Sequence, residues 1–210
     1  MMHVVSTGLA APTREKCKLS VLHMQRDVNL SHTYVDSLPD VDVITNMGTM
    51  ISGLDPEDVV IWLDGDDWMV RDDACAIVKA MHDAGAWVTW GSFEFSDGRK
   101  GFAAPVNPAL PIRQQPWVTT HLKSFRAGLF QRLREEDLKW EPGAQVPWDM
   151  IVMFAAIEMA GGKRCTFCPE VLSAYNLISS NEWKNGRGEE VRLEQVIRAR
   201  DPYPLLESLR

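Results

Sequence analysis

Cysteine is sparse in this chain: Cys17, Cys75, Cys165 and Cys168 are the four among 210 residues. They are too few and too scattered for a disulfide framework and are expected as reduced thiols. Long apolar runs are missing as well. No stretch approaches the roughly 18 to 20 residues that cross a bilayer, and Met1-Met2-His3 does not open a signal peptide. The cytoplasm is then the default compartment, with no membrane partner. Positive charge falls short of negative charge, 22 Lys and Arg against 29 Asp and Glu, for a formal net charge of -7. That balance excludes a protein held on nucleic acid by an overall basic field, while local basic patches stay open. An anionic substrate therefore needs a metal ion or a focused basic site. Neither internal repeats nor low-complexity segments are present.

What is there has the balance of an ordinary globular protein, 45% hydrophobic and 24% charged. The length suits one well-buried domain and is short for two. Val4 and Val5 begin a strand that ends near Thr7, and a helix follows Pro12-Thr13 with Cys17, Val21 and Met24 as its apolar stripe. His32-Thr33-Tyr34-Val35-Asp36 reads as a second strand closed by Ser37-Leu38-Pro39. Val59-Val60-Ile61-Trp62-Leu63 is a continuous apolar run, as in a parallel sheet covered on both faces. Ala74, Ile77, Val78 and Met81 then mark a helix, with Asp72 or Asp73 as cap and Gly85 as stop. Ala86-Trp87-Val88-Thr89-Trp90 supplies another strand. This alternation favours α/β.

Breakers crowd Ser96 to Pro116, which reads as a loop with a short strand. The charged stretch from His121 to Leu138 reads as helix. From Asp149 to Met159 nearly every position is apolar before Gly161-Gly162, so a buried helix is expected. After Gly186, Leu193, Val196 and Ile197 predict a final amphipathic helix, with Pro202 and Pro204 beyond it.

The chemistry is concentrated in Asp64-Gly65-Asp66-Asp67, directly after the apolar run. Ligands of open α/β sheets bind at the carboxyl ends of strands. Three crowded carboxylates repel one another unless a cation compensates, and hard oxygen ligands suit Mg²⁺ or Mn²⁺. Such an ion would hold a diphosphate and offset the charge that builds on it as a glycosidic bond to it breaks. A helix cap would use one carboxylate, whereas here there are three, with Gly65 allowing close backbone approach.

Val59 to Asp67 resembles the strand and DxD-type motif of the large, family-two type of inverting GT-A glycosyltransferases, compact phage-type members included. The resemblance continues in the strand ends at Thr7 and Asp36 and in Asn46-Met47-Gly48. It extends to His121-Leu122-Lys123-Ser124-Phe125-Arg126, Trp148-Asp149 and Leu172-Ser173-Ala174-Tyr175-Asn176. It implies a GT-A fold over residues 1–210, a single Rossmann-like domain with a mainly parallel central sheet flanked by helices. The acceptor side and the C-terminal helix would lie from about residue 115 onward. It further implies that Thr7 and Asp36 line the nucleoside pocket and that Asp64 and Asp66 are the metal ligands, Asp64 also meeting the ribose. Asn46, Asp67, His121, Arg126 and Trp148 would complete the substrate site, and Asp149 would be the base that deprotonates the acceptor hydroxyl. Relatives draw a further metal ligand from a histidine late in the chain. Here all five histidines lie at or before His121, which leaves that place to Asn176 or water. The implied partners are a nucleoside diphosphate sugar and an acceptor, either a saccharide or a hydroxymethylated pyrimidine of DNA. A sugar-nucleotide or glycan binder without turnover is the alternative.

Other features are set against plain structural readings. Cys165-Thr166-Phe167-Cys168 has the spacing of half a zinc site but no second pair. Trp68, Trp117, Trp140, Trp148 and Trp183 are expected in loops or at element ends. The basic residues Lys123, Arg126, Arg132, Arg134 and Lys139, and again Lys184, Arg187, Arg192, Arg198 and Arg200, read first as solvated helix faces and second as DNA contacts.

Overall fold

In the computed structural model of the chain, residues 1–8, 13–24, 28–36, 42–141, 144, 146–177 and 187–210 are described, 187–190 as backbone only. Segments rich in β-branched and aromatic residues form the strands β1 (Met2–Gly8), β2 (Leu30–Asp36) and β3 (Val59–Trp62), of which β3 alone is wholly apolar. The two-residue β4 (Trp68–Met69) is followed by β5 (Val88–Phe95), β6 (Lys123–Arg126) and β7 (Cys165–Tyr175). All seven join one sheet in the order β2-β1-β3-β6-β5-β7-β4. β1 is parallel to β2 and β3, and β5 to β7, whereas β6 runs antiparallel to both β3 and β5, and β4 antiparallel to β7. The sheet is therefore mainly parallel, as expected.

Helices cover both faces. On one side lie α1 (Arg14–Met24) and α3 (Ala74–Asp83), which bury Cys17, Val21, Met24, Cys75 and Val78 against Val4, Val59 and Ile61. On the other lie α2 (Val43–Ile51), α4 (Ala127–Phe130) and α6 (Trp148–Ala160), joined by α7 (Arg187–Ala199), against Val5, Val60 and Trp62. Adjacent β3 residues thus enter opposite cores, which is why the run has no polar face. α6 is apolar all round and accordingly buried all round, ending at Gly161 with φ +72°. A short α5 (Glu135–Leu138) completes the helices of the described residues.

Several expectations need correction. The stretch from His121 to Leu138 is not one helix: its first part is β6, threaded between β3 and β5, and α4 and α5 follow as single turns. Its charges mislead because Lys123 is 1% exposed and Arg126 donates to the Glu57 and His82 carbonyls. The loop from Ser96 to Pro116 carries a single bridge, Lys100 to Glu94, and a 3-10 turn at Ile112–Gln114, but no strand of its own. Asp73 does stand at the start of α3, yet its carboxylate binds Arg71 at 2.8 Å rather than capping the helix. Leu193 and Ile197 of α7 are buried, while Val196 is exposed. Cys165 and Cys168 pack into opposite cores, so their thiols do not share a site.

The basic residues are mostly committed within the protein. Arg132 donates to the Gly128 carbonyl, Arg134 to those of Asp201 and Pro202, and Arg198 to those of Arg113 and Gln115. Lys139 pairs with Glu135, and Arg200 with Asp137. Lys184 and Trp183 lie outside the described residues, as does the Ser37 to Pro39 turn.

Candidate functional site

The acid cluster forms where β3 ends. Val5 of β1 pairs with Trp62, so the residues beyond Trp62 come level with Thr7 and Gly8 at the carboxyl edge of the sheet. There the Gly65 amide donates to the Thr7 carbonyl at 2.8 Å, and the Tyr34 hydroxyl donates to the Gly65 carbonyl at 3.2 Å. A Cβ at position 65 would stand 2.6 Å from the Tyr34 hydroxyl oxygen and 2.7 Å from the Thr7 oxygen. Glycine is required here by close approach to β1 and β2. The turn is closed by the Asp67 amide donating to the Asp64 carbonyl at 3.0 Å.

β6 approaches from the other side. Its antiparallel register sets Lys123 opposite Trp62, and the same register carried two residues further sets His121 opposite Asp64. The His121 ring is wedged between Phe93 and Tyr175, each with its centroid 5.1 Å away. Its Nδ1 lies 3.6 Å from Asp64 Oδ2 and 3.6 Å from Asp67 Oδ2, longer than hydrogen bonds. The ligand atoms of Asp64, Asp67 and His121 all fall within 4.8 Å of one another. Two ligands on one ion at about 2.1 Å stand about 3 Å apart when adjacent and about 4.2 Å apart when opposite. Both 3.6 Å separations from His121 fall in that range, so the triad, two carboxylates and an imidazole, could hold a small divalent ion.

This differs from the expected ligand pair of Asp64 and Asp66. Asp66 is half-buried and outside the triad. Asp67 belongs to the triad, and its Oδ1 accepts the Asn176 main-chain amide at 2.8 Å. Asn176, expected as a substitute ligand, follows the end of β7, with its main-chain amide on Asp67 and its side-chain amide 3.3 Å from Thr13 Oγ1. His121, expected as a substrate contact, is the histidine of the triad although it stands well before the end of the chain.

Asp149 lies in the first turn of α6, after Pro147 at the cap position, and its Oδ1 accepts the Met150 amide at 2.9 Å. Its Oδ2 is 3.9 Å from Lys123 Nζ, which is also 3.3 Å from Asp64 Oδ2 and 4.8 Å from the Trp62 ring centroid. Lys123 is the residue that the sequence reading missed, having assigned it to a solvated helix face. Its two-residue spacing from His121 is the signal a strand reading would have used.

The charges of these groups are interdependent. Burial works against ionisation of Asp64, but Lys123 and His121 outweigh it and hold the carboxyl below its usual range. Burial, with Asp64 and Asp66 nearby, pushes Asp67 well above that range, and burial together with Asp64 raises Asp149 in spite of Lys123. Burial opposes the Lys123 ammonium, yet Asp64, Asp149 and Asp67 push its pKa up. Burial and Lys123 lower His121 to about 3, so its imidazole is neutral near pH 7 and able to donate a lone pair.

Other expected site residues fall at varying distance. Thr7 is buried at the edge beside Gly65, and Asp36 ends β2 opposite Gly8, its carboxylate 2.8 Å from Arg14 Nη1. Trp148 opens α6 beside Asp149, half-buried against the core. Asn46 is buried on α2, its Nδ2 without a hydrogen-bond partner among the described residues. Arg126 is not brought to the cluster: it ends β6 opposite Val59, at the far end of β3.

No protein-family model matches the chain, and no curated protein does. Among solved structures, the 1–349 fragment of S. aureus TarS is similar, with a TM-score of 0.56 at 13% identity, covering 84% of this chain and 60% of that one. The same fragment in complex with UDP-GlcNAc gives 0.52 at 14% identity, covering 84% and 58%. Its complex with UDP gives 0.55 at 14% identity, covering 84% and 61%. The chain spans about three fifths of the length of these fragments. It has the mixed α/β, GT-A-like fold of the TarS glycosyltransferase.

Proposed function

We propose that the chain is a glycosyltransferase that takes a sugar from a nucleoside diphosphate donor and passes it, with inversion, to an acceptor hydroxyl. The observation that carries this reading is the convergence of Asp64, Asp67 and His121 with Asp149 at the carboxyl edge of the sheet. It is supported by a fold similar to that of a protein crystallised with UDP-GlcNAc and with UDP.

Asp64, Asp67 and His121 would hold Mn²⁺ or Mg²⁺, which supplies positive charge to a departing diphosphate. Thr7 and Asp36 bind the nucleoside at the same edge, where Arg14 keeps the Asp36 carboxylate in place. On the opposite, acceptor side, formed from about residue 115 onward, Asp149 takes the proton of the attacking hydroxyl. The acceptor oxygen bonds to the anomeric carbon as the bond from that carbon to the diphosphate breaks, and the proton ends on the Asp149 carboxylate. One displacement inverts the anomeric configuration. The acceptor is a saccharide or a hydroxymethylated pyrimidine of DNA, with Trp148, next to Asp149 at the start of α6, as its contact.

The test is release of nucleoside diphosphate from a panel of uridine, guanosine and thymidine diphosphate sugars with Mn²⁺, with and without acceptors of both kinds. Metal-stimulated release is expected with at least one donor. Tight donor binding without release under any condition would leave a binding protein in place of an enzyme.

A further inference from the structure

Lys123 is the charged side chain buried most deeply in the sheet, 1% exposed between the sheet and α6. An ammonium is taken from water into such a place only where carboxylates compensate it. Two lie within ion-pair distance: Asp64 Oδ2 at 3.3 Å, from the end of β3, and Asp149 Oδ2 at 3.9 Å, from the first turn of α6. The Trp62 ring completes the enclosure with its centroid 4.8 Å away. The Asp64 oxygen that faces the ammonium is also the oxygen 3.6 Å from His121 Nδ1. One carboxylate oxygen is thus shared between a fixed cation and the triad.

We propose that Lys123 is the internal cation of this site, a positioning residue that fixes Asp149 relative to Asp64 and competes with the divalent ion for the acid cluster. The inference rests on the metal-assisted transfer proposed above. Because β6 is held on both edges by β3 and β5, the ammonium cannot withdraw far, and it sets the separation between the donor-side acid and the base. It also reduces the negative charge that an arriving ion meets, so the triad alone holds its ion less tightly than two carboxylates and an imidazole otherwise would.

The experiment is a calorimetric titration with Mn²⁺ alone, without donor, of the wild type, Lys123→Met and Lys123→Arg. Removing a unit charge this close should tighten Mn²⁺ binding by about tenfold or more, while Lys123→Arg, which keeps the charge, stays within about threefold of wild type. Unchanged or weaker binding by a folded Lys123→Met protein overturns the proposal. If that variant does not fold, Lys123→Met combined with Asp149→Asn removes one charge of each sign and should still tighten binding, by about threefold, since the ammonium lost stands 3.3 Å from the triad oxygen Asp64 Oδ2 whereas Asp149 is outside the triad. At saturating Mn²⁺, Lys123→Met should lose at least about tenfold in kcat with donor KM within about threefold. An unchanged kcat overturns the positioning role. If the wild type turns over no donor, the transferase reading falls, and the Mn²⁺ titrations still decide whether Lys123 competes with the ion.

Discussion

Position 65 has no room for a methyl group. Of the three atoms that a Cβ would meet, the Tyr34 hydroxyl can be removed by mutation, whereas the Thr7 carbonyl oxygen and carbon belong to the main chain of β1. Gly65→Ala should therefore push the turn from Asp64 to Asp67 outward, cost about 1–3 kcal/mol of stability, and weaken Mn²⁺ binding. The Tyr34→Phe background should restore little of either. Full recovery of stability and Mn²⁺ affinity in the double variant would show that only the phenol was in the way. Asp149 allows a cleaner separation of charge from structure. Asparagine keeps an oxygen for the Met150 amide, so Asp149→Asn should fold normally and bind donor normally. Turnover should fall by about 10² to 10⁴, the range for a lost general base. Near-normal transfer would remove Asp149 from that role, and a large fall in melting temperature would make it a helix-start residue. The acidic turn from Asp64 to Asp67 and Asp149 stood out in the sequence because the turn follows one apolar run and Asp149 precedes another. Lys123 did not, because one buried lysine inside a charged stretch looks like its solvated neighbours until the strands on either side are known.

The same limit operates on elements. β3 and α6 could be read directly, since burial on all sides leaves nearly unbroken apolar runs, β1 was marked by Val4 and Val5, and α1 showed its stripe of Cys17, Val21 and Met24. β6 could not, because only its odd positions face the α6 core, and one of them is a lysine. Of its even positions, Ser124 faces α3 and makes a buried chain that explains why a hydroxyl and a histidine occupy the core. Ser124 Oγ stands 2.8 Å from His82 Nε2 and 2.5 Å from Thr89 Oγ1, and His82 Nδ1 is 2.9 Å from the Ala86 carbonyl. That carbonyl can only accept, so Nδ1 carries the proton and Nε2 accepts from Ser124 in the neutral ring. Burial, with Arg126 nearby, lowers the His82 pKa to about 4. The unfolded chain takes up this proton near the ordinary value of about 6.5, so between the two values the unfolded state binds more protons. Stability is present in full above that window and falls as pH drops through it. At about pH 5 the loss is about 2 kcal/mol. His82→Gln should be less stable than wild type near neutrality but lose less on acidification, which urea unfolding at the two pH values would measure. An equal acid loss in both proteins would assign the pH dependence elsewhere.

For the whole molecule, the α/β class followed from the alternation of strands and helices, whereas the strand order required pairings across the chain that local sequence does not encode. Those pairings decide where the charge excess of -7 is concentrated. They bring Asp64, Asp66 and Asp67 from one turn and Asp149 from another layer to the same edge of the sheet, with Lys123 buried among them. Folding without an ion therefore works first against the burial of carboxylates and second against their mutual repulsion, and both push Asp67 and Asp149 above the usual range. A divalent ion that binds only the folded chain should stabilise it by about 2.7 kcal/mol at a hundredfold excess over its Kd. For a chain of this size that corresponds to a rise in Tm of about 5 to 10 °C. Mn²⁺ should produce this shift, EDTA should reverse it, and Mg²⁺ should act in the same direction. The variants discriminate between ligand sets. Asp67→Asn and His121→Ala should each abolish most of the shift, while Asp66→Ala, outside the triad, should retain it. The opposite pattern, with the shift lost in Asp66→Ala and kept in His121→Ala, would return the site to the Asp64 and Asp66 pair suggested by the sequence. Loss of the shift in none of the three would mean that the ion binds elsewhere and that the cluster is held by Lys123 alone.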